Sequence, residues 1–121
     1  MIDHLALGVS DMAASRAFYE AALAPLGFEV VMEWKGRVAF GPPARPIFFL
    51  APDQPPSALH VSFQARDRDA VDAFHAAALA AGGRDNGAPG MRPQYHPHYY
   101  GAFVLDPDGN NIEAVCHTTP G

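Results

Sequence analysis

His4-Leu-Ala-Leu-Gly-Val-Ser-Asp11 falls over His60-Val-Ser-Phe-Gln-Ala-Arg-Asp67 when the chain is set against itself 56 residues later. The register continues without a gap: Ala17 over Ala73, Phe18 over Phe74, Ala21 and Ala22 over Ala77 and Ala78, Leu23 over Leu79, Gly27 over Gly83. Two copies of one supersecondary unit, each with a histidine on its opening strand, bring two imidazoles near a shared axis. Such an axis is a place to build a metal site between modules.

Working outward from that stretch, the segment from Ile2 to Val9 is apolar and bounded by a turn-like Ser10-Asp11, which predicts a strand. Ser10 or Asp11 then caps a helix whose apolar residues recur at Ala14, Ala17, Phe18, Ala21 and Ala22, ended by Pro25 to Gly27. Phe28 to Trp34 and Arg37 to Gly41 predict two strands joined by a tight Lys35-Gly36 turn. After a proline-rich loop comes a short strand, Ile47 to Ala51, and Pro52 to Pro56 is a linker of turn residues. The second copy predicts a strand from Leu59 to Ala65 and a helix capped by Asp67, with Val71, Phe74, Ala78 and Ala81 on its apolar face and Gly82-Gly83 at its end. It then predicts a strand near Arg84 to Ala88, a surface crossing from Gly87 to Pro97, and strands from Tyr100 to Leu105 and Ile112 to His117. Each half reads β-α-β-β-β. The expected architecture is α+β: two tandem βαβββ modules, residues 1–54 and 57–121 of a single 121-residue domain, forming curled sheets around a cavity with helices on the outside.

Strand alternation sharpens the repeat. Leu5, Leu7 and Val9 share the face that packs on a helix, while His4, Ala6 and Gly8 share the other. In the matching strand Val61, Phe63 and Ala65 face the helix, and His60, Ser62 and Gln64 face away. Both histidines are thus expected on the uncovered face of a sheet.

Bulk properties narrow the function. A net charge of −5, with no basic stripe, disfavours nucleic acid as a partner, since phosphate contacts need clustered Lys and Arg. The apolar runs are too short to span a membrane. The opening Met-Ile-Asp-His lacks the basic and apolar regions of a signal peptide, and a lone Cys116 makes no intramolecular disulfide. A cytoplasmic location is therefore expected.

The paired modules, a His in each opening strand and the closing Asp106-Pro-Asp-Gly-Asn-Asn-Ile-Glu113 resemble the vicinal oxygen chelate superfamily, over nearly the whole chain. That superfamily includes glyoxalase I, extradiol dioxygenases, fosfomycin-resistance thiol transferases and bleomycin-resistance binding proteins. The resemblance implies metal ligation by His4, His60 and Glu113, a homodimer, and a small-molecule substrate bound through two adjacent oxygens. Two imidazoles and a carboxylate suit a divalent first-row metal (Fe, Mn, Ni or Zn) and leave adjacent positions open for a substrate.

The chain also departs from its relatives. Glyoxalase I generally supplies a fourth ligand, a Glu or Gln, from the last strand of the other module. Here that stretch is Ile47-Phe48-Phe49-Leu50, and Glu20, Glu29 and Glu33 lie elsewhere. Extradiol enzymes show a Tyr where Phe103 stands. An acid or base would then come from Tyr99, Tyr100, His96 or His98, in the segment Arg92 to Tyr100. That segment is expected either to wall a pocket or to cover a sheet edge. Gln64 is either a donor to the ligands or an ordinary polar residue, Trp34 lines the first sheet's cavity or serves structure, and His75 and His117 are expected at the surface. The resemblance implies a glyoxalase-like lyase or isomerase. The alternatives are an extradiol-type dioxygenase and a metal-free small-molecule-binding protein of the bleomycin-resistance type.

Overall fold

The computed structural model describes residues 1–56 and 58–118; Ser57 and the last three residues of the second module lie outside the described residues. The first module consists of β1 (Leu5–Gly8), α1 (Met12–Leu23), a 3-10 turn (Ala24–Leu26), β2 (Glu29–Trp34), β3 (Arg37–Gly41) and β4 (Phe48–Ala51). The second consists of β5 (His60–Gln64), α2 (Arg68–Ala80), β6 (Arg84–Met91), β7 (Tyr100–Leu105) and β8 (Asn111–Cys116). Each module makes its own four-stranded sheet, in the orders β1-β4-β3-β2 and β5-β8-β7-β6. β1, which His4 directly precedes rather than opens, and β5, which opens on His60, are therefore both edge strands, each paired in parallel to the last strand of its module.

Local chemistry accounts for these elements. Asp11 accepts from the Ala14 amide at 3.1 Å and Asp67 from the Ala70 amide at 2.8 Å, so each helix starts on an aspartate cap. The β2–β3 hairpin closes through Lys35 and Gly36 with φ of 49° and 80°, the left-handed pair that a two-residue hairpin needs. The helix ends break the gapless register of the repeat. Gly27 takes a left-handed φ of 87°, and the Phe28 amide reaches back to the Leu23 carbonyl. In the second module Gly82, with φ of 100°, has that role, and the Gly83 amide reaches the Ala78 carbonyl. Gly83 is instead a close-approach glycine, since a Cβ there would lie 2.6 Å from the Phe18 ring and 2.5 Å from Val104.

The two helix-covered sheet faces share one core. Leu7, Phe18, Leu23, Phe40, Phe48 and Leu50 of the first module join Val71, Phe74, Ala78, Val104 and Ile112 of the second. Burying each of the larger side chains is worth about 2 kcal/mol. Phe63 ties the modules, its ring edge-on to Phe28 at 5.7 Å and to Phe48 at 5.3 Å. A polar latch crosses the same seam. The fully buried Tyr19 donates to Asp106 at 2.5 Å, and the Ser10 hydroxyl donates to Asp108 at 2.5 Å.

Two expectations are corrected. Strand β6 extends through Gly87-Ala-Pro-Gly90 to Met91, where a surface crossing was expected. It is an edge strand with register shifts at Gly87 and Gly90, so the missing amide of Pro89 and the unusual φ of Gly87 are tolerated. His75 is mostly buried and lies 3.0 Å from an Asp85 oxygen, which its helical position did not suggest. Its bond, followed by one from the Gly87 amide, holds the Asp85 carboxyl below the usual carboxylate range.

Candidate functional site

Strand alternation sorts the site residues as expected. Leu7, Val9, Phe63 and Ala65 are buried against the helices, whereas His4, His60, Ser62 and Gln64 are exposed on the opposite faces. Parallel pairing sets what stands beside each histidine strand. Ser62 of β5 is in register with Glu113 of β8, and Ala6 of β1 is in register with Phe49 of β4. Phe49 is thus the first module's counterpart of Glu113.

That difference divides the two faces chemically. In the second module His60 Nε2 lies 2.8 Å from Glu113 Oε1, and the Tyr99 hydroxyl donates to Glu113 Oε2. Glu113 is only 1% exposed, so its carboxylate depends on these two partners. Desolvation, then the bond to Glu113, pushes the Tyr99 phenol well above its ordinary range, so it holds its proton. Gly101 makes the contact possible: a Cβ there would come within 3.2 Å of the Tyr99 ring and 3.3 Å of Glu113 Oε2. His60, Tyr95, Tyr99, Phe103 and Glu113 line an open pocket of about 320 Å³.

In the first module His4 packs edge-on to Phe49, with ring centroids 5.5 Å apart, and bonds to Asp3 at 2.8 Å. It lines a separate pocket of about 340 Å³ with Ala6, Met32, Trp34, Arg37 and Phe49. The two pockets share no lining residue. Within one chain the fold therefore joins His60 to Glu113 and Tyr99 but does not bring His4 to them. Among the described residues no three His, Cys, Asp or Glu side chains form a metal-sized cluster.

The aromatic segment before β7 divides in the same way. Tyr99 reaches the site. Tyr100 points to the helix side, donating to Asp72 at 2.6 Å beneath the Arg68 guanidinium. His96 lies behind Tyr99, 2.5 Å from His117, and both imidazoles pack against the Tyr99 ring. His98 is exposed, with its amide bonded to His96. Sequence reasoning passed over Tyr95, Met32 and Arg37. Tyr95 packs edge-on to Tyr99 at 4.9 Å, and its place in an aromatic run was the available signal.

The pair His60 and Glu113 fits a metal ion. Ligands at about 2.0–2.2 Å from one ion stand about 3 Å apart at a right angle and about 3.4 Å apart in a tetrahedron, so His60 Nε2 and Glu113 Oε1, hydrogen-bonded at 2.8 Å, would separate slightly to share one. An imidazole and a carboxylate also belong to the donor types that first-row divalent ions accept.

Fold and site thus define a two-module α+β protein whose uncovered sheet faces carry one histidine each. The Glyoxalase/Bleomycin resistance protein/Dioxygenase superfamily model matches residues 1–114, and the chain belongs to that superfamily. Among solved structures it is similar to a glyoxalase/bleomycin resistance protein from Albidiferax ferrireducens, at 33% identity and a TM-score of 0.82, with 96% of this chain and 98% of that one covered. It shares the fold of a glyoxalase/bleomycin resistance protein/dioxygenase family enzyme from Burkholderia phytofirmans, at 18% identity and a TM-score of 0.72, with 97% and 98% covered. It shares it also with a lactoylglutathione lyase from Agrobacterium tumefaciens, at 23% identity and a TM-score of 0.67, with 96% and 92% covered. Among curated proteins nothing matches. No helix among the described residues is long and apolar enough to cross a membrane.

Proposed function

We propose that the chain is a cytoplasmic, metal-dependent enzyme of the lyase or isomerase type, working as a homodimer on a small oxygen-bearing substrate. Its site would combine His60 and Glu113 of one copy with His4 of a second. The observation that carries this reading is the buried Glu113 carboxylate held 2.8 Å from His60 at the floor of an open pocket.

Two features support a second copy. His4 and the His60–Glu113 pair occupy pockets without a common residue, so a three-ligand set needs a further chain. Among the described residues β1, just after His4, and β5, which opens on His60, are both edge strands, and such edges offer backbone groups to another chain. A single, buried Cys116 suits a reducing compartment.

A divalent ion held there (Fe, Mn, Ni or Zn) would act as a Lewis acid on two adjacent substrate oxygens. The chain's own residues do the rest. Glu113 contributes a carboxylate that the surrounding residues cover almost completely, and Phe103 forms a pocket wall that cannot donate a proton. Tyr99 keeps its single proton and spends it on Glu113 Oε2, so it would serve a substrate oxygen that gains charge only by turning to it from the carboxylate. This answers the absence of a hydroxyl at Phe103. It also supports lyase or isomerase chemistry despite Phe49 at the position where a second carboxylate would stand.

Metal analysis of protein purified without chelators, repeated on His60→Ala, tests the proposal. Bound divalent metal that disappears in the variant is the expected result. Protein that carries no metal in either form, yet binds small molecules, would replace the enzyme with a metal-free binding protein.

A further inference from the structure

The second sheet's uncovered face continues beyond its strands. Ile112, Ala114 and Cys116 of β8 belong to the core, so parity gives Glu113, Val115 and then His117, just past the strand, to the opposite face. Across the ladder Gly101 of β7 is in register with Val115, and Tyr99 precedes it by two residues on the same face. Gly101 therefore leaves a gap between Tyr99 and Glu113. A Cβ in that gap would lie 3.2 Å from the Tyr99 ring and 3.3 Å from Glu113 Oε2. The Tyr99 phenol crosses the gap, and its hydroxyl donates to Oε2.

A staggered aromatic side chain has other wells to occupy, and two imidazoles fill the space behind this one. His96 meets the Tyr99 ring edge-on with centroids 5.4 Å apart, and His117 does so at 5.3 Å. The two are joined, with His96 Nε2 2.5 Å from His117 Nδ1. Their tautomers follow from a third contact. The His98 amide donates to His96 Nδ1 at 3.1 Å, so a neutral His96 carries its proton on Nε2 and His117 Nδ1 is the acceptor. That proton takes the place a metal ion would need between the two nitrogens. The backbone closes the turn, with the Tyr99 amide on the His96 carbonyl at 3.2 Å and the Arg92 amide on the Tyr99 carbonyl at 2.8 Å. Neither imidazole lines the pocket that His60 and Glu113 share. Their route to the site therefore passes through Tyr99.

We propose that His96 and His117 are positioning residues: as a hydrogen-bonded pair they hold the Tyr99 ring over Gly101, fix its hydroxyl on Glu113 Oε2, and so decide which carboxylate oxygen the site presents. With Oε2 taken, Glu113 offers Oε1 alone, on the side of His60. A divalent ion there would take one carboxylate oxygen rather than two and keep a further position for a substrate. This rests on the proposed metal site only for what Oε1 holds. The hold on Tyr99 belongs to the metal-free chain.

The chain has four tyrosines, so carbon-13 at the tyrosine Cζ gives a short NMR spectrum, and Tyr99→Phe assigns the signal at Glu113. Spectra are taken on metal-free protein, and metal affinity is measured apart by chelator competition. In His117→Ala the Tyr99 signal should move toward that of a solvated phenol. Those of Tyr19 and Tyr100, bonded to Asp106 and Asp72, should stay in place and report an intact fold. His117→Asn offers a side-chain oxygen to the His96 Nε2 proton and should restore the parent position. Metal affinity should fall about tenfold in His117→Ala, the loss expected when the support of a ligand is removed. In a Tyr99→Phe background the same substitution should change it by less than about twofold. An unmoved Tyr99 signal in His117→Ala overturns the proposal. So does an equal loss of affinity with and without the Tyr99 hydroxyl, because a merely structural histidine would act in both. Failure of His117→Asn to restore the signal, with Tyr19 and Tyr100 unchanged, overturns it too. A Tyr99 signal that moves as expected in protein unable to bind metal supports the positioning and refutes the metal site alone.

Discussion

Replacing Tyr19 by phenylalanine removes one oxygen from the seam between the modules. The Tyr19 side chain is fully buried, so the ring has no room to move and the substitution is a clean deletion of the hydroxyl. Its partner Asp106 keeps three other donors, the Asp108 and Asn110 amides and the Asn110 side-chain amide. The carboxylate is therefore not orphaned, and the loss is that of one hydrogen bond to a charged group, about 2 kcal/mol. Burial first, and then the Asp106 charge, hold the Tyr19 phenol far above its ordinary range, so the bond persists through neutral and mildly alkaline pH. With about 2.1 cal/mol/K of unfolding entropy per residue, a 121-residue chain should lose about 8 °C in Tm. Urea unfolding and thermal melts at one fixed protein concentration measure both quantities, and fixed concentration matters if the chain self-associates. A change under about 0.5 kcal/mol would mean that the latch contributes nothing beyond a solvated bond, and the account of the seam would be wrong.

Glu113→Gln keeps one oxygen to accept from the Tyr99 hydroxyl, turns an NH2 group to His60 Nε2 and removes the charge. It should fold normally by circular dichroism and lose bound metal, and full metal content would contradict the ligand assignment. Gly101→Ala places a Cβ against Tyr99 and Glu113, and should cost about 1 kcal/mol in stability and about tenfold in metal affinity, measured by chelator competition; an unchanged affinity would dismiss Tyr99 as a support for Glu113. The Tyr100 phenol is pushed up to about 12, chiefly by its bond to Asp72 and then by burial. Its stabilisation is present below about pH 10, the free phenol's range, and is lost as pH rises through the folded value. Tyr100→Phe should therefore flatten the alkaline fall in stability between those limits, by under about 1 kcal/mol for a solvent-screened pair, and parallel curves for parent and variant would refute it.

Much of the fold was legible because its signals are local. Asp11 and Asp67 cap helices by their own side chains, and Lys35-Gly36 is a hairpin turn by backbone preference. The alternation from Leu5 to Val9 and from Val61 to Ala65 gave the correct face to each histidine. Strand β6 was shortened because Gly87, Pro89 and Gly90 are turn formers in isolation. Only the openness of an edge strand lets them remain extended, and edge position is a property of the whole sheet. The first-module helix end showed a second limit: Gly27 aligns with Gly83 by letter, but the left-handed cap is Gly82.

The site was legible in part for a similar reason. Parity assigns a residue to a face but does not say which two faces meet, so a shared axis for His4 and His60 could be inferred while their separation within the chain could not. Among the aromatics of Arg92 to Tyr100, neighbouring residues point to opposite sides, and sequence alone does not say that Tyr99 rather than Tyr100 reaches Glu113. The missing first-module carboxylate was visible as Ile47 to Leu50. That Phe49 occupies the counterpart place required the strand register.

The most direct test of an intersubunit site is to mix two dead variants. His4→Ala lacks the histidine of the first sheet, and His60→Ala lacks that of the second. Each homodimer should be unable to hold metal tightly. When the two are unfolded together and refolded, a mixed dimer contains one site with His4 from one chain and His60 and Glu113 from the other, and one site lacking both histidines. Metal binding should therefore reappear in the mixture. If mixed dimers form, as tagged copurification would show, and still bind no more metal than the separate variants, the intersubunit site is contradicted.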